Sequence, residues 1–143
     1  MIYLASDHAA YEMKKLAIQH LEAQGYAVTD LGPYNAQSVD YPDFAHKMAA
    51  ALKTDHKGRG ILMCGSGIGI SIAANRHQHI RAALAHDVTT ARLSRQHNDA
   101  NVLCLGARIV GEVVVKDMID AFMMTAFEQG RHQLRINKIN FHN

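Results

Sequence analysis

Residues 64–71 read CGSGIGIS, with three glycines in five positions directly after a thiol. Glycines let backbone N–H groups come close to an anion, and a helix opening behind them adds partial positive charge. The same spacing also serves a tight strand-to-helix turn that holds nothing. Cys64 ends an apolar run, and a thiol ahead of a helix N-terminus can act as a base or nucleophile near neutral pH. Cys104, inside VLCLG, reads instead as a small buried hydrophobe. Asp7 and His8 form a second pair. The carboxylate could accept sugar hydroxyls and the imidazole could meet an anion; equally, Asp7 could be a helix N-cap beside a surface histidine. Arg131 and Arg135 stand four apart, on one face of any helical turn, and Arg108 follows an apolar segment. Guanidinium groups suit bidentate phosphate recognition, although two arginines in a polar tail also suit plain solvation.

The elements that must position these groups alternate along the whole chain. IYLAS (Ile2–Ser6) reads as a buried strand, and residues 9–24 as a helix with Met13, Leu16, Ala17 and Leu21 at helical spacing, closed by Gly25. Strands follow at 26–31, 60–64, 80–84 and 102–105. Helices start at Pro42, behind the glycine loop, at Asp87 and over 112–128, and a polar tail ends the chain. Continuous apolar strands alternating with helices predict a three-layer αβα sandwich around a doubly wound, five-stranded parallel sheet, Rossmann-like. The expected strand order is 2-1-3-4-5, with 3-2-1-4-5 as the rival. Such sheets bind ligands beyond the carboxyl ends of the strands where the winding reverses. That places Asp7-His8 and the Cys64 loop on either side of one crevice. A dinucleotide fingerprint is disfavoured because the glycines follow the third strand rather than the first, and no Walker lysine follows them.

Length and composition set the outer limits. The chain has 143 residues, 48% hydrophobic and 20% charged, which fits one globular domain over residues 1–143 and excludes disorder. No run suggests a membrane span or signal peptide, and a net charge of +2 is too small for a nucleic-acid footprint. Two unpaired cysteines without an export signal point to the cytoplasm. Of ten histidines, His20, His46, His56 and His142 read as chemically idle. His77-x-His79 lacks Cys, Asp or Glu at ligand spacing, so no metal is expected. His86, after the fourth strand, could line the crevice.

SDHAAYEMK, DYP, CGSGIGISIAANR, RQHNDANVLCLGARIVG and GRHQLRI together resemble the ribose-5-phosphate isomerase B family, which includes galactose- and allose-6-phosphate isomerases. The resemblance runs in order through essentially the whole chain. It implies interconversion of aldose and ketose phosphates through ring opening and a cis-enediolate, with no cofactor. Carried over residue by residue, Cys64 matches the base that takes the C2 proton, and Ser66 matches a position orienting the enediolate oxygens. The N–H groups of Gly65, Ser66, Gly67, Ile68 and Gly69 match an anion hole. His97 matches the ring-opening acid/base and Asn98 a substrate-binding neighbour. Asp7 and His8 match hydroxyl and phosphate contacts; Arg108, Arg131 and Arg135 match phosphate ligands; Tyr41 matches a position near the sugar. Members lacking the cysteine carry a glutamate base after the loop. Ile70 stands there in this chain, so the thiolate version is the consistent one.

Topology then constrains assembly. His97 closes a helix just before the fifth strand, at the sheet edge opposite Cys64, about 17–20 Å away. A homodimer (or dimer of dimers) with shared sites is therefore expected, the tail from about 129 taking part in the dimer and the phosphate site. The readings in competition are a hexose 6-phosphate isomerase, a flavodoxin-like module that binds phosphate or nucleotide without catalysis, and a hydrolase with Cys64 as nucleophile.

Overall fold

The structure, a computed structural model, describes residues 1–140, so His142 lies outside the described residues. Five strands, β1 (Ile2–Ser6), β2 (Val28–Asp30), β3 (Arg59–Cys64), β4 (Ala82–Leu84) and β5 (Val102–Gly106), form one wholly parallel sheet. Between and after them run α1 (Tyr11–Ala23), α2 (Tyr41–Thr54), α3 (Ile68–Ala74), α4 (Val88–Asn98), α5 (Glu112–Met124) and α6 (Arg131–Asn137). One face of the sheet is covered by α1, α4 and α5 through Leu21, Ala91 and Met118. The other is covered by α2 and α3 through Met48 and Ile70. The αβα layering is thus as expected.

The strand order corrects one expectation. It is β2-β1-β3-β5-β4, with β5 inserted between β3 and β4 rather than at the edge. Burial explains the choice. All five residues of β5 are buried, whereas the three of β4 are half-exposed, and the shorter, less apolar strand belongs at the edge. The reversal between β1 and β3 is unaffected, because the chain winds outward to β2 and returns across β1 to β3.

Local chemistry sets the helix ends. Pro42 occupies the first turn of α2, where its missing N–H costs nothing, and Phe44, Met48 and Leu52 face the sheet. Asp87 caps α4 by accepting the Thr90 N–H at 2.7 Å, and this bond holds its carboxyl below the usual carboxylate range. The helix expected over 112–128 stops at Met124. Arg59 Nη1 takes the carbonyls of Phe122 and Met123, at 2.7 and 3.0 Å, and Arg95 Nε takes Thr125 O at 3.3 Å. The expected polar tail is the helix α6, resting on α4 with His132 as its buried residue.

Lys14 is fully buried, an unexpected place for an ammonium group. Its Nζ donates to Asp30 Oδ1 at 2.7 Å and to the Pro33 carbonyl, tying α1 to the end of β2 and to the segment after it. Lys14→Ala strands part of the Asp30 charge and empties core volume. It should lower unfolding free energy by about 3 kcal/mol or more, measured by urea denaturation. An unchanged midpoint would show the pair to be energetically idle.

Candidate functional site

Beyond the carboxyl ends of β1, β3 and β5 lies a cavity of about 570 Å³. Asp7 and His8 reach it from the end of β1, Cys64 and Ser66 from β3, Arg108 from β5 and Tyr41 from the start of α2. Sequence and sheet register combine to bring them together: Cys64 pairs with Gly106, so the chain leaves both strands at the same level. Gly67 has φ +79°, a left-handed turn, and a Cβ there would lie 2.7 Å from the Leu105 carbonyl carbon. Gly69 is equally constrained, since its missing Cβ would sit 2.5 Å from the Tyr41 ring. The loop can therefore press against β5 on one side and an aromatic ring on the other.

The hydrogen bonds refine what each group can do. Cys64 is 4% exposed, and its Sγ receives the Gly67 N–H at 3.1 Å. Ser66 Oγ receives the Ile68 N–H at 3.2 Å. Two of the loop amides expected to face an anion are thus engaged within the loop. Those of Gly65, Gly69 and Ile70 have no acceptor among the described residues. His8 Nδ1 accepts the Val39 N–H at 3.1 Å, which leaves the ring proton of the neutral imidazole on Nε2. Asp7 is buried and its Oδ1 accepts the Ala10 N–H at 3.1 Å, so it braces the turn into α1 as well as lining the cavity. The Arg108 guanidinium lies over Gly65, its Nη1 3.5 Å from where a Cβ would be. Cys104 is fully buried, and burial pushes its thiol far above the ordinary value.

The remaining expected residues lie elsewhere. His97 closes α4 at the amino edge of the sheet, and its Nε2 is 3.6 Å from Glu128 Oε1. Its ring stacks on His132 with centroids 4.5 Å apart. Burial, then Arg131 and His97, lowers His132 below the usual imidazole value. Asn98 borders a different hollow, between α4 and β4. Arg131 and Arg135 are exposed on α6. His86 does not line the Cys64 cavity, because β5 stands between β4 and β3. Sequence reasoning missed Glu128 and His132 as neighbours of His97; their separation in the chain carries no local signal. A second cavity, about 640 Å³ and lined by His46, Lys53, Arg76 and His77, lies away from the strand ends and contains neither thiol nor carboxylate.

Residues 2–139 match the family model described as Ribose/Galactose Isomerase. Ribose-5-phosphate isomerase B of Escherichia coli strain K12 is 41% identical over 138 residues, covering 96% of this chain and 93% of that protein. Among solved structures, a ribose 5-phosphate isomerase of Thermotoga maritima superposes with a TM-score of 0.95 at 46% identity, covering 97% of this chain and 96% of that one. Ribose-5-phosphate isomerase B from Mycoplasma genitalium, solved with bound ribulose-5-phosphate, superposes with a TM-score of 0.93 at 44% identity, covering 96% and 92%. No described helix is long and apolar enough to cross a membrane.

Proposed function

The chain belongs to the ribose/galactose isomerase family, and from that premise we propose that it interconverts ribose 5-phosphate and ribulose 5-phosphate with Cys64 as the base. The observation that carries this reading is the sharing of one cavity by a thiol, a guanidinium and a histidine N–H.

The phosphate dianion is gripped by Arg108 and by His8 Nε2. Its binding energy holds the flexible open-chain sugar in place. The Cys64 thiolate takes the proton from C2, and the C2–H electron pair moves into the C1–C2 bond as the C1 carbonyl oxygen becomes anionic. The Gly67 N–H disperses negative charge on the sulfur before transfer. The unpartnered amides of Gly65 and Gly69 receive the enediolate oxygen. Ser66 relays the hydroxyl proton between O2 and O1, and the Cys64 thiol returns its proton at C1. Asp7 and Tyr41 orient the hydroxyls.

Ring opening is assigned to His97 of the partner subunit, with Asn98 beside it and Arg131 and Arg135 completing the phosphate site. In its own chain His97 sits at the amino end of β5, a strand length of about 17 Å from the level of Cys64. This reading is therefore of a homodimer with composite sites, built from a single domain, its segment from about 129 lying at the shared site. No metal or organic cofactor enters the reaction.

The test is incubation in D2O with ribose 5-phosphate, allose 6-phosphate and galactose 6-phosphate, followed by NMR. Deuterium at C2 of the aldose or C1 of the ketose is expected, fastest with the pentose. Fastest exchange with a hexose would move the substrate by one carbon. Release of inorganic phosphate, or neither exchange nor ketose formation on any sugar, would sink the reading.

A further inference from the structure

His97, Glu128 and His132 form a cluster that the isomerase reading uses only in part. Their ligating atoms, one from each side chain, all lie within 4.8 Å of one another. Glu128 Oε1 is 3.6 Å from His97 Nε2 and 3.5 Å from His132 Nε2. Ligands bound to a tetrahedral ion at 2.0–2.1 Å stand roughly 3.3–3.4 Å apart, close to the two Glu128–imidazole separations. Both Nε2 atoms face the same carboxylate oxygen, and because the two imidazole planes are only 13° from parallel, the exposed His97 ring must turn for both lone pairs to meet one ion.

A second observation is independent of that geometry. His132 is 6% exposed, and its Nε2 is the buried side-chain nitrogen or oxygen that lacks a hydrogen-bond partner among the described residues. A buried polar atom left unpaired is costly, and the 3.5 Å approach to Glu128 does not satisfy it. In the single chain the other side is open, with the His97 and Glu128 side chains 41% and 48% exposed.

The backbone holds these groups in place. Glu128 N–H donates to Gln96 O at 3.0 Å, strapping the segment after α5 onto the end of α4. Arg95 anchors the same end through Asp99 Oδ1 and Ala100 O, at 2.8 and 2.7 Å. Glu128 precedes α6, and the left-handed turn at Gln129 and Gly130, with φ of 63° and 59°, brings its Oε1 back to 3.5 Å from His132 Nε2.

We propose that His97, Glu128 and His132 bind a borderline transition-metal ion of the zinc class, and that its binding inhibits the enzyme by removing His97 from ring opening. Two imidazoles and one carboxylate suit zinc or cobalt, and they leave a fourth position for water. The ion takes the lone pair on His97 Nε2 that would otherwise exchange a proton with the sugar ring oxygen. Arg131 and Arg135 on the same helix oppose the added charge, so the site is an inhibitory one of moderate strength rather than a structural centre. The inhibition rests on the isomerase reading; the binding does not.

The test titrates Co(II) into metal-free protein in a non-chelating buffer and follows the visible d–d bands of tetrahedral cobalt. One ion per chain is expected. Glu128→Gln, at an exposed side chain, and His132→Asn should each weaken binding on the order of 100-fold, while Cys64→Ser should leave the spectrum unchanged. Zn(II) should displace the cobalt and suppress turnover of ribose 5-phosphate over the same concentration range. Binding that survives both substitutions, or that is lost with Cys64, overturns the site. Binding without loss of turnover overturns the inhibitory role. A normal cobalt spectrum in a protein that exchanges no deuterium would uphold the site and sink the isomerase reading instead.

Discussion

Cys64→Ala should lower kcat for ribose 5-phosphate by about 10³–10⁴-fold and leave KM within a factor of a few. Removing a positioned general base typically costs this order of rate, and the sulfur contributes little to binding when Arg108 and His8 hold the phosphate. Cys64→Ser should fare no better, because a serine hydroxyl is a far weaker acid than a thiol and supplies little base near neutral pH. Fold loss is not an available excuse: exchanging one buried sulfur for hydrogen costs roughly 1–2 kcal/mol, and circular dichroism will show whether the helices remain. The second cysteine serves as an internal control. Cys104 is wholly enclosed and its thiol is pushed far upward, so iodoacetamide should modify Cys64 alone, with ribose 5-phosphate protecting it. Cys104→Ala should turn over normally. A Cys64→Ala protein with more than a tenth of normal kcat would leave the mechanism without its base.

Mixing Cys64→Ala chains with His97→Ala chains should recover about a quarter of the unsubstituted activity, starting from two nearly inert preparations. Random exchange puts half of the chains in mixed dimers, and each mixed dimer holds one site with both groups intact. The two groups stand at opposite edges of the sheet within one chain: Cys64 at the carboxyl end of β3, and His97 beyond the amino end of β5. Native mass spectrometry must confirm that mixed dimers form. If they do and no activity returns, each chain completes its own site and the shared arrangement is wrong.

The site at the carboxyl edge was largely legible because it depends on short-range features. A glycine-rich turn after an apolar strand, and Asp-His after another, need only the parallel-sheet rule to be brought together. The order of β4 and β5 depends on a longer-range balance. It was readable in principle, since VLCLG is uniformly apolar while the fourth run, IRAAL, carries Arg81 and two small alanines, but nearest-neighbour succession argued the other way. Lys14 was opaque for a different reason. Nothing in YEMKK marks one lysine as buried, because its partners come from the end of the next strand, Asp30, and the turn after it, Pro33. The α6 helix was equally hidden: seven polar-rich residues show no apolar stripe, and its one buried side chain is a histidine whose surroundings come from α4 and the segment after α5. Loop glycines suggested a row of inward-facing amides. Only the folded geometry shows the Gly67 and Ile68 N–H groups committed to Sγ and Oγ.

If two subunits share their sites as proposed, the distance between the two sheet edges carries a genetic corollary. A chain damaged at one edge spoils one site of a mixed pair, and its neighbour keeps the other. A chain damaged at both edges spoils the two together, since it offers neither sulfur to one pocket nor imidazole to the next. Such an allele would act dominantly, poisoning the product of a healthy copy, whereas either lesion alone would complement the other in trans.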